Sequence, residues 1–229
     1  LVDDARSIMR QSEDALRRAR RAAGDGGAVR LGVSMMCPGR QTLSMWSGIH
    51  DLEPSLRFEI VPVSDLYDER ETVMCSLGRE VDVVQSSFST PRWGDACQKL
   101  HIVNVPFYID LPRASPLARK NRITVADLEG MRLRVLRHGN DAMDSLRIDL
   151  LADGGVDVID VDSFDFALFN EAEEKGDAVL TCGAWSGVHP AFVGVPFLCG
   201  REVPVFLHYP LEPTLQVQKF VNAMAQLLK

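Results

Sequence analysis

Short apolar runs alternate with longer amphipathic stretches along the chain from residue 29 onward. Apolar runs bounded by turn residues are typical of strands, and apolar residues at three- and four-residue steps are typical of helices. In the first half, the predicted strands cover residues 29–34, 56–63 and 81–85, and the predicted helices cover residues 38–52 and 64–77. Strands and helices that alternate at this short spacing predict a parallel sheet covered by helices.

The same alternation returns in the second half of the chain. A long, partly irregular strand is predicted over residues 100–111, and a short helix capped by Thr124 follows it. The further predicted strands cover residues 133–137, 156–161, 178–181, 192–198 and 203–209, and the further helices cover residues 141–151, 164–175 and 213–228. The pattern therefore predicts two similar α/β lobes, with natural crossovers near residues 100–120 and 200–210.

Residues 1–23 carry a different pattern. Apolar and small residues, beginning with Val2, Ala5 and Met9, recur at heptad spacing, and arginines fill the opposite face. This stretch is predicted to be a helix that either packs on its own domain or pairs with a second chain. The small residues favour pairing, because they allow close helix approach. The glycine-rich residues 24–27 predict the end of the helix and a flexible joint.

Composition and charge narrow the class of protein. The formal net charge is −7, and outside residues 1–24 there are 19 basic against 28 acidic residues, a balance that repels nucleic acid. No run approaches the roughly 18 apolar residues that a membrane span needs. The five cysteines are odd in number and none form a C-x-x-C pair, which predicts free thiols in a reducing cytoplasm rather than a disulfide framework or a zinc site.

Motifs that carry catalysis are absent or displaced. The glycines of residues 24–27 precede a strand instead of following one, so they do not form a dinucleotide-binding turn. Ser186 lies one place too late within residues 183–187 for a nucleophile elbow. We therefore predict that the chain is not an enzyme and holds no metal or cofactor. Redox sensing through Cys37 or Cys182 is a minor alternative.

Candidate ligand-binding residues follow the carboxyl ends of the predicted strands, where open parallel sheets bind their ligands. In the first half of the chain they are Met35, Met36, Cys37, Arg40, Ser64, Asp65, Ser86, Ser87 and Phe88. In the second half they are Arg137, His138, Asn140, Thr181 and Cys182. We expect these segments to converge on one cleft between the lobes.

The chemistry of these residues favours a small organic anion with some apolar bulk. Helix starts present free N–H groups, and Arg40, Arg137 and His138 add charge-assisted donors. Met35, Met36 and Phe88 could supply the apolar walls of the binding site. The plainer alternatives are that Ser64 only caps a helix and that His138 is a solvated loop residue. Asp65 disfavours an anion unless it binds a ligand hydroxyl or amine.

Three stretches resemble the effector-binding domain of LysR-type transcriptional regulators. The first stretch is Arg30-Leu31-Gly32-Val33, followed after a helix and a proline by Leu56-Arg57-Phe58-Glu59-Ile60. The second is Glu80-Val81-Asp82-Val83-Val84. The third is Ser115-Pro116-Leu117-Ala118, followed by Ile123-Thr124-Val125-Ala126-Asp127-Leu128-Glu129-Gly130. The resemblance covers essentially the whole chain.

The resemblance implies two Rossmann-like lobes in the type 2 periplasmic-binding-protein architecture, preceded by an N-terminal helix. Residues 1–24 resemble the end of the linker helix that pairs subunits. Residues 28–107 with 206–229 correspond to lobe I, and residues 108–205 correspond to lobe II.

The same resemblance implies a cytoplasmic bacterial regulator that senses a small-molecule effector between its lobes. Its expected state is a homodimer or homotetramer with lobes side by side in antiparallel fashion. It would contact DNA only through an N-terminal winged helix-turn-helix that residues 1–229 lack, and it would not contact membranes. The alternative is a solute-binding protein of a transporter, which shares the two-lobed architecture; the residues encoded upstream discriminate the two.

Overall fold

A computed structural model describes residues 27–35, 37–63, 72–87, 96–137 and 140–229. The helix predicted over residues 1–23 lies outside them. The described strands are β1 (Val29–Val33), β2 (Phe58–Pro62), β3 (Val83–Ser86), β4 (Cys97–Pro112), β5 (Arg132–Leu136), β6 (Asp157–Val161), β7 (Ala178–Cys182), β8 (Phe192–Pro196) and β9 (Glu202–Pro210). The described helices are α1 (Arg40–Ser44), α2 (Trp46–Leu52), α3 (Asp141–Asp153), α4 (Phe166–Lys175) and α5 (Leu215–Leu227).

Two parallel sheets lie at the two ends of a mixed sheet of nine strands within the described residues, and together they give the two-lobed α/β fold that the sequence predicts. The strand order is β2-β1-β3-β9-β4-β7-β5-β6, and β8 pairs with β4 beside this path. In lobe I, β1 is parallel to β2 and β3. In lobe II, β5 is parallel to β6 and β7.

The long antiparallel strands β4 and β9 join the lobes. They pair from Cys97 opposite Pro210 to Pro106 opposite Glu202, and the register shifts between His101 and Val103. Beyond that ribbon, β4 continues into lobe II and pairs with β7 and β8. The strands β4 and β9 overlap the stretches predicted as crossovers, residues 100–120 and 200–210.

A buried ion pair of the same design stabilises each lobe. In lobe I, the Arg30 guanidinium on β1 donates to both carboxylate oxygens of Asp82, which directly precedes β3. In lobe II, the Arg134 guanidinium on β5 donates to Asp177, which directly precedes β7, over 2.8 Å. Both arginines are at most 7% exposed, so each charge depends on its partner inside the core.

The helical predictions differ from the structure in detail. The helix predicted over residues 38–52 is two shorter helices that meet at Met45. Of the helix predicted over residues 64–77, residues 72–77 are described; residues 72–75 are helical, and residues 76 and 77 form a turn. The cap predicted at Thr124 is confirmed, since its hydroxyl and the Asp127 carboxylate form a capping box around a single 3-10 turn, Val125–Leu128.

Candidate functional site

The strand register turns the carboxyl ends of both parallel sheets toward the crossover ribbon. In lobe I, the last residue of β3, Ser86, pairs with Phe206, close to the point where β9 enters that lobe. In lobe II, the last residue of β7, Cys182, pairs with Phe107, where β4 has just entered. The loops after these strands therefore face each other across the ribbon, which is where parallel sheets of this type bind ligands.

The loop after β7 packs directly on the ribbon. The Gly183 N–H donates to the Pro106 carbonyl over 2.9 Å. A Cβ atom at Gly183 would lie 3.2 Å from Cβ of Val105, so the glycine permits this close approach. This contact fixes the lobe II side of the candidate site to the crossover strand.

On the lobe I side, the loop after β1 is a tight turn. Ser34 Oγ accepts a hydrogen bond from the Cys37 N–H over 3.0 Å, and the Ser34 N–H donates to the Cys37 carbonyl over 3.1 Å. Met35 is half-buried and Cys37 is buried. Arg40 opens α1 with an exposed side chain, and it forms no ion pair with another residue of the described ranges. Arg40 thus supplies a positive charge on this side that no carboxylate of the described residues pairs with.

A glutamine that the sequence analysis missed anchors α1 to β3. Gln85 is 2% exposed, and its Oε1 accepts hydrogen bonds from the Thr42 N–H over 2.8 Å and from the Thr42 hydroxyl over 2.9 Å. Its Nε2 donates to Gln41 Oε1. One free N–H of the α1 start is thereby satisfied internally, and so it is not available to an anion. The sequence feature that could have identified Gln85 is its position as a polar residue at the end of an otherwise apolar predicted strand.

The two serines after β3 differ in their contacts. Ser86 is buried within the strand and has partners inside the protein. Ser87 is 3% exposed, and within the described part of the chain its hydroxyl has no hydrogen-bond partner. An unpaired buried hydroxyl costs free energy unless a ligand or water satisfies it. Ser87 therefore has an open hydrogen-bonding position at the carboxyl end of β3.

Asn140 has a similar open position at the lobe II edge. It is the N-cap of α3, and its Oδ1 accepts a hydrogen bond from the Met143 N–H over 2.8 Å. The side chain is 4% exposed, and its Nδ2 donor has no partner among the residues that the structure describes. The start of a 13-residue helix thus carries an unused donor next to its positive dipole end.

The other predicted lobe II residues already have internal contacts. The Arg137 guanidinium is exposed and donates from Nε to Asp162 Oδ1 over 3.0 Å. The Thr181 hydroxyl donates to Asp110 Oδ1 over 3.0 Å. Cys182 is fully buried, and burial raises the pKa of its thiol to about 12. That shift opposes formation of the reactive thiolate.

Asp110, which the sequence analysis also missed, is a buried carboxylate on β4. It is 0% exposed and accepts hydrogen bonds from the Thr181 and Ser186 hydroxyls, both over 3.0 Å. The Gly187 N–H donates to its second oxygen over 3.4 Å. Burial raises the pKa of Asp110, and the three hydrogen bonds oppose that rise.

Five of the predicted ligand-binding residues lie outside the described residues: Met36, Ser64, Asp65, Phe88 and His138. A separate groove of about 520 Å³ lies on lobe II between β6 and α4. Its arginines and its lysine are ion-paired with neighbouring carboxylates. Among the described residues, no cluster of side chains could hold a metal ion, and no helix has the length and apolar character to cross a membrane.

The chain has the fold of a LysR-type regulatory domain. It superimposes on CbnR, a LysR family transcriptional regulator, with a TM-score of 0.72 at 16% identity, over 99% of this chain and 79% of that one. The reduced OxyR regulatory domain from Pseudomonas aeruginosa gives a TM-score of 0.57 at 14% identity, over 88% of this chain and 98% of that one. No protein-family model and no curated protein sequence matches the chain.

A third LysR-type match is the full-length BenM structure. It gives a TM-score of 0.56 at 12% identity, over 98% of this chain and 77% of that one. CbnR has also been solved in complex with its target DNA. At sequence identities this low, the superpositions establish a shared fold and nothing more. That fold is the one that the sequence motifs predicted.

Proposed function

We propose that this chain is the effector-binding domain of a cytoplasmic LysR-type transcriptional regulator. The observation that carries the proposal is the convergence of both sets of strand ends on one ribbon, within a LysR-type fold that covers nearly the whole chain. Effector binding in that cleft changes the angle between the lobes, and so the arrangement of subunits. The division into lobe I (28–107 and 206–229) and lobe II (108–205) is part of this proposal.

The proposed effector is a small organic anion. Arg40 supplies a positive charge that no described carboxylate neutralises, and Met35 supplies an adaptable apolar surface beside it. Ser87 and Asn140 supply buried hydrogen-bonding groups without internal partners. Groups of this kind on both sides of a cleft favour a ligand that brings the lobes together.

A thermal-shift screen of small acids, phenolics and amino acids tests the effector. A ligand that binds the folded state raises the unfolding midpoint with dose, by the equivalent of about 2.7 kcal/mol at one hundred times its Kd. Arg40→Ala should abolish the shift caused by anions. Arg137→Ala is the matched control and should retain it, because Asp162 already holds the Arg137 guanidinium. A shift that survives Arg40→Ala at full size contradicts an anion site at this position.

The proposed assembly is a homodimer with lobes side by side in antiparallel fashion, or a tetramer built from such dimers. It is supported by apolar side chains left exposed on the outer elements of both lobes. Ile60 on edge strand β2 is 53% exposed, and Ile148 on α3 is 61% exposed. Burying such side chains against a second copy provides the driving force for association.

Light scattering tests the assembly. Ile148→Asp should convert the dimer to a monomer at tens of micromolar, because it places a charge on an apolar surface position of α3 that is 61% exposed. A monomeric parent chain would contradict the proposal.

We also propose that DNA contacts belong to an N-terminal winged helix-turn-helix outside residues 1–229. Tight, sequence-specific DNA binding by these residues alone in a mobility-shift assay would contradict that.

A further inference from the structure

The side-chain amide of Gln85 on β3 is held in one of its two orientations. Its Oε1 accepts hydrogen bonds from the Thr42 main-chain N–H over 2.8 Å and from the Thr42 hydroxyl over 2.9 Å. A main-chain N–H can only donate, so the Gln85 atom that faces Thr42 has to be the oxygen. The Nε2 group of Gln85 is therefore directed away from Thr42.

This orientation fixes a second amide, that of Gln41 on the first turn of α1. Gln85 directs its Nε2 at Gln41, and because this group can only donate, the Gln41 atom that receives the bond is Oε1. The Nε2 group of Gln41 then lies on the other side of its own planar amide. Within the described part of the chain, that group has no hydrogen-bond partner. Gln41 thus carries an oriented and unused donor.

The backbone that carries Gln41 is fixed as well. Gly39, the N-cap of α1, has a φ of 63°, a conformation that favours glycine. A Cβ atom at Gly39 would lie 2.8 Å from Leu31 Cδ2, so the start of α1 packs directly on β1. Gln41 is half-buried and Gln85 is buried. A donor that buried neighbours already hold in place loses little conformational freedom when a ligand binds.

A second unused group lies close to this donor along the chain. Ser87 is two positions after Gln85 and one residue past the end of β3, and side chains at this spacing share one face of a strand. Its hydroxyl is buried without a partner among the described residues. Arg40, which directly precedes Gln41, adds an exposed positive charge. All three groups can donate hydrogen bonds, which suits a ligand that carries acceptor oxygens.

We propose that Gln41 is a specificity-determining residue that donates from Nε2 to a carboxylate oxygen of the effector. Gln41 lies in the site proposed above for the effector, and so this role rests on that proposed function. The bonds from Thr42 to Gln85 and from Gln85 to Gln41 keep the donor directed outward. An effector with an amine or amidine at this position would meet the Gln41 donor and the Arg40 charge, and the site would reject it.

Nuclear magnetic resonance of the side-chain amides tests the orientation and the contact. The two signals are assigned by their loss in Gln41→Met and in Gln85→Met. Without ligand, the Gln85 amide should exchange slowly with water and the Gln41 amide rapidly, because only the first is paired. Phenylacetate at millimolar concentration should shift the Gln41 signal. Phenylacetamidine has the same shape but carries N–H donors in place of the carboxylate oxygens, and it should leave that signal in place.

The variant Gln41→Glu tests the specificity itself. It keeps one oxygen to accept the bond from Gln85 and puts a second oxygen in place of the Nε2 donor. The unfolding midpoint should therefore stay close to that of the parent chain, while the Kd of phenylacetate, measured by isothermal titration calorimetry, should rise at least about tenfold. Gln218→Glu is the matched control, since it makes the same change of charge on α5, where Gln218 donates to Asn222. It should leave the Kd unchanged.

The possible outcomes separate this role from the proposed function. A Gln41 signal that phenylacetate does not move overturns the role of Gln41, and so does equal weakening of binding in Gln41→Glu and Gln218→Glu. If the rise in the unfolding midpoint with phenylacetate is lost in Arg40→Ala but survives at full size in Gln41→Glu, the anion site stands and the role of Gln41 fails. If the rise survives in both variants, the anion site fails as well.

Discussion

The unpartnered donor of Asn140 gives a prediction that separates stability from binding. Asn140 caps α3 with its Oδ1, whereas its buried Nδ2 has no partner among the described residues. Serine is an equally good N-cap but lacks the amide donor. Asn140→Ser therefore keeps the interaction that stabilises the helix and removes only the group that we assign to the effector. Asn140→Ala removes both.

The magnitudes follow from these two contacts. Loss of an N-cap costs about 1 kcal/mol, and removal of an unsatisfied buried donor recovers about 1–3 kcal/mol of desolvation. Asn140→Ser should thus be no less stable than the parent chain. Asn140→Ala should unfold about 2–4 °C below Asn140→Ser, which is the shift that 1 kcal/mol causes in a protein of this size. A hydrogen bond to an anion contributes about 1.5–3 kcal/mol, so the Kd of the effector should rise roughly 10- to 100-fold in both variants.

Differential scanning calorimetry measures the stability, and isothermal titration calorimetry measures the affinity for a ligand found in the thermal-shift screen. The two variants must differ in stability but agree in their loss of affinity. If Asn140→Ser is destabilised by several degrees, the amide donor has a structural partner inside the protein. If its affinity is unchanged, Asn140 does not contact the effector. Either result refutes the assignment.

The remaining predictions concern the buried polar groups of lobe II and are all measured by urea unfolding. A Cβ atom at Gly194 would lie 1.7 Å from Ser186 Oγ and 2.8 Å from Asp110 Oδ1, so Gly194→Ala should cost about 1–3 kcal/mol; adding Ser186→Ala should recover part of that loss, and no recovery would contradict the clash. The raised pKa of Asp110 means that its carboxyl favours folding while it is protonated. Its contribution is therefore complete below the unfolded-state pKa and is lost as pH rises through the folded-state pKa. Asp110→Asn should remove that pH dependence, and parallel stability curves for the two proteins would refute it. Asp177→Leu should cost about 3–5 kcal/mol because it leaves the buried Arg134 charge without its buried partner and with only the half-exposed Glu171 carboxylate beside it, whereas Arg134→Met combined with Asp177→Leu should recover most of the loss. A double variant as unstable as the single one would show that the ion pair is not the cause.

Much of the fold could be predicted from the local sequence pattern. The strand predicted over residues 29–34 is Val29–Val33, and the helix predicted over residues 164–175 is Phe166–Lys175. These elements depend on the spacing of apolar residues and on capping residues a few positions away, which the sequence displays directly. The split of the helix over residues 38–52 at Met45 was not predictable in this way, because the pattern of apolar residues continues across it.

The candidate site was less predictable, because its chemistry depends on contacts between distant residues. Sequence reasoning selected Arg137 and Thr181 by their positions after strands, but Asp162 holds the first and Asp110 holds the second. It overlooked Gln85, whose partner Thr42 is 43 residues away. A polar side chain can bind a ligand only if its hydrogen-bonding groups are not already paired with other residues of the protein.

By itself, the sequence determined that this protein alternates strands and helices in two lobes, and it placed the candidate ligand-binding residues after the strand ends. Those features arise from hydrophobic periodicity and from turn and cap residues, which act over a few positions. The tertiary structure alone decided that β4 and β9 pair as the ribbon between the lobes. It also decided that Ser87 and Asn140 keep open hydrogen-bonding positions within the described structure, and that Cys97 contacts His208 across 111 residues of sequence. The reason is that burial and long-range pairing, which set the free energy of each polar group, exist only once the chain has folded.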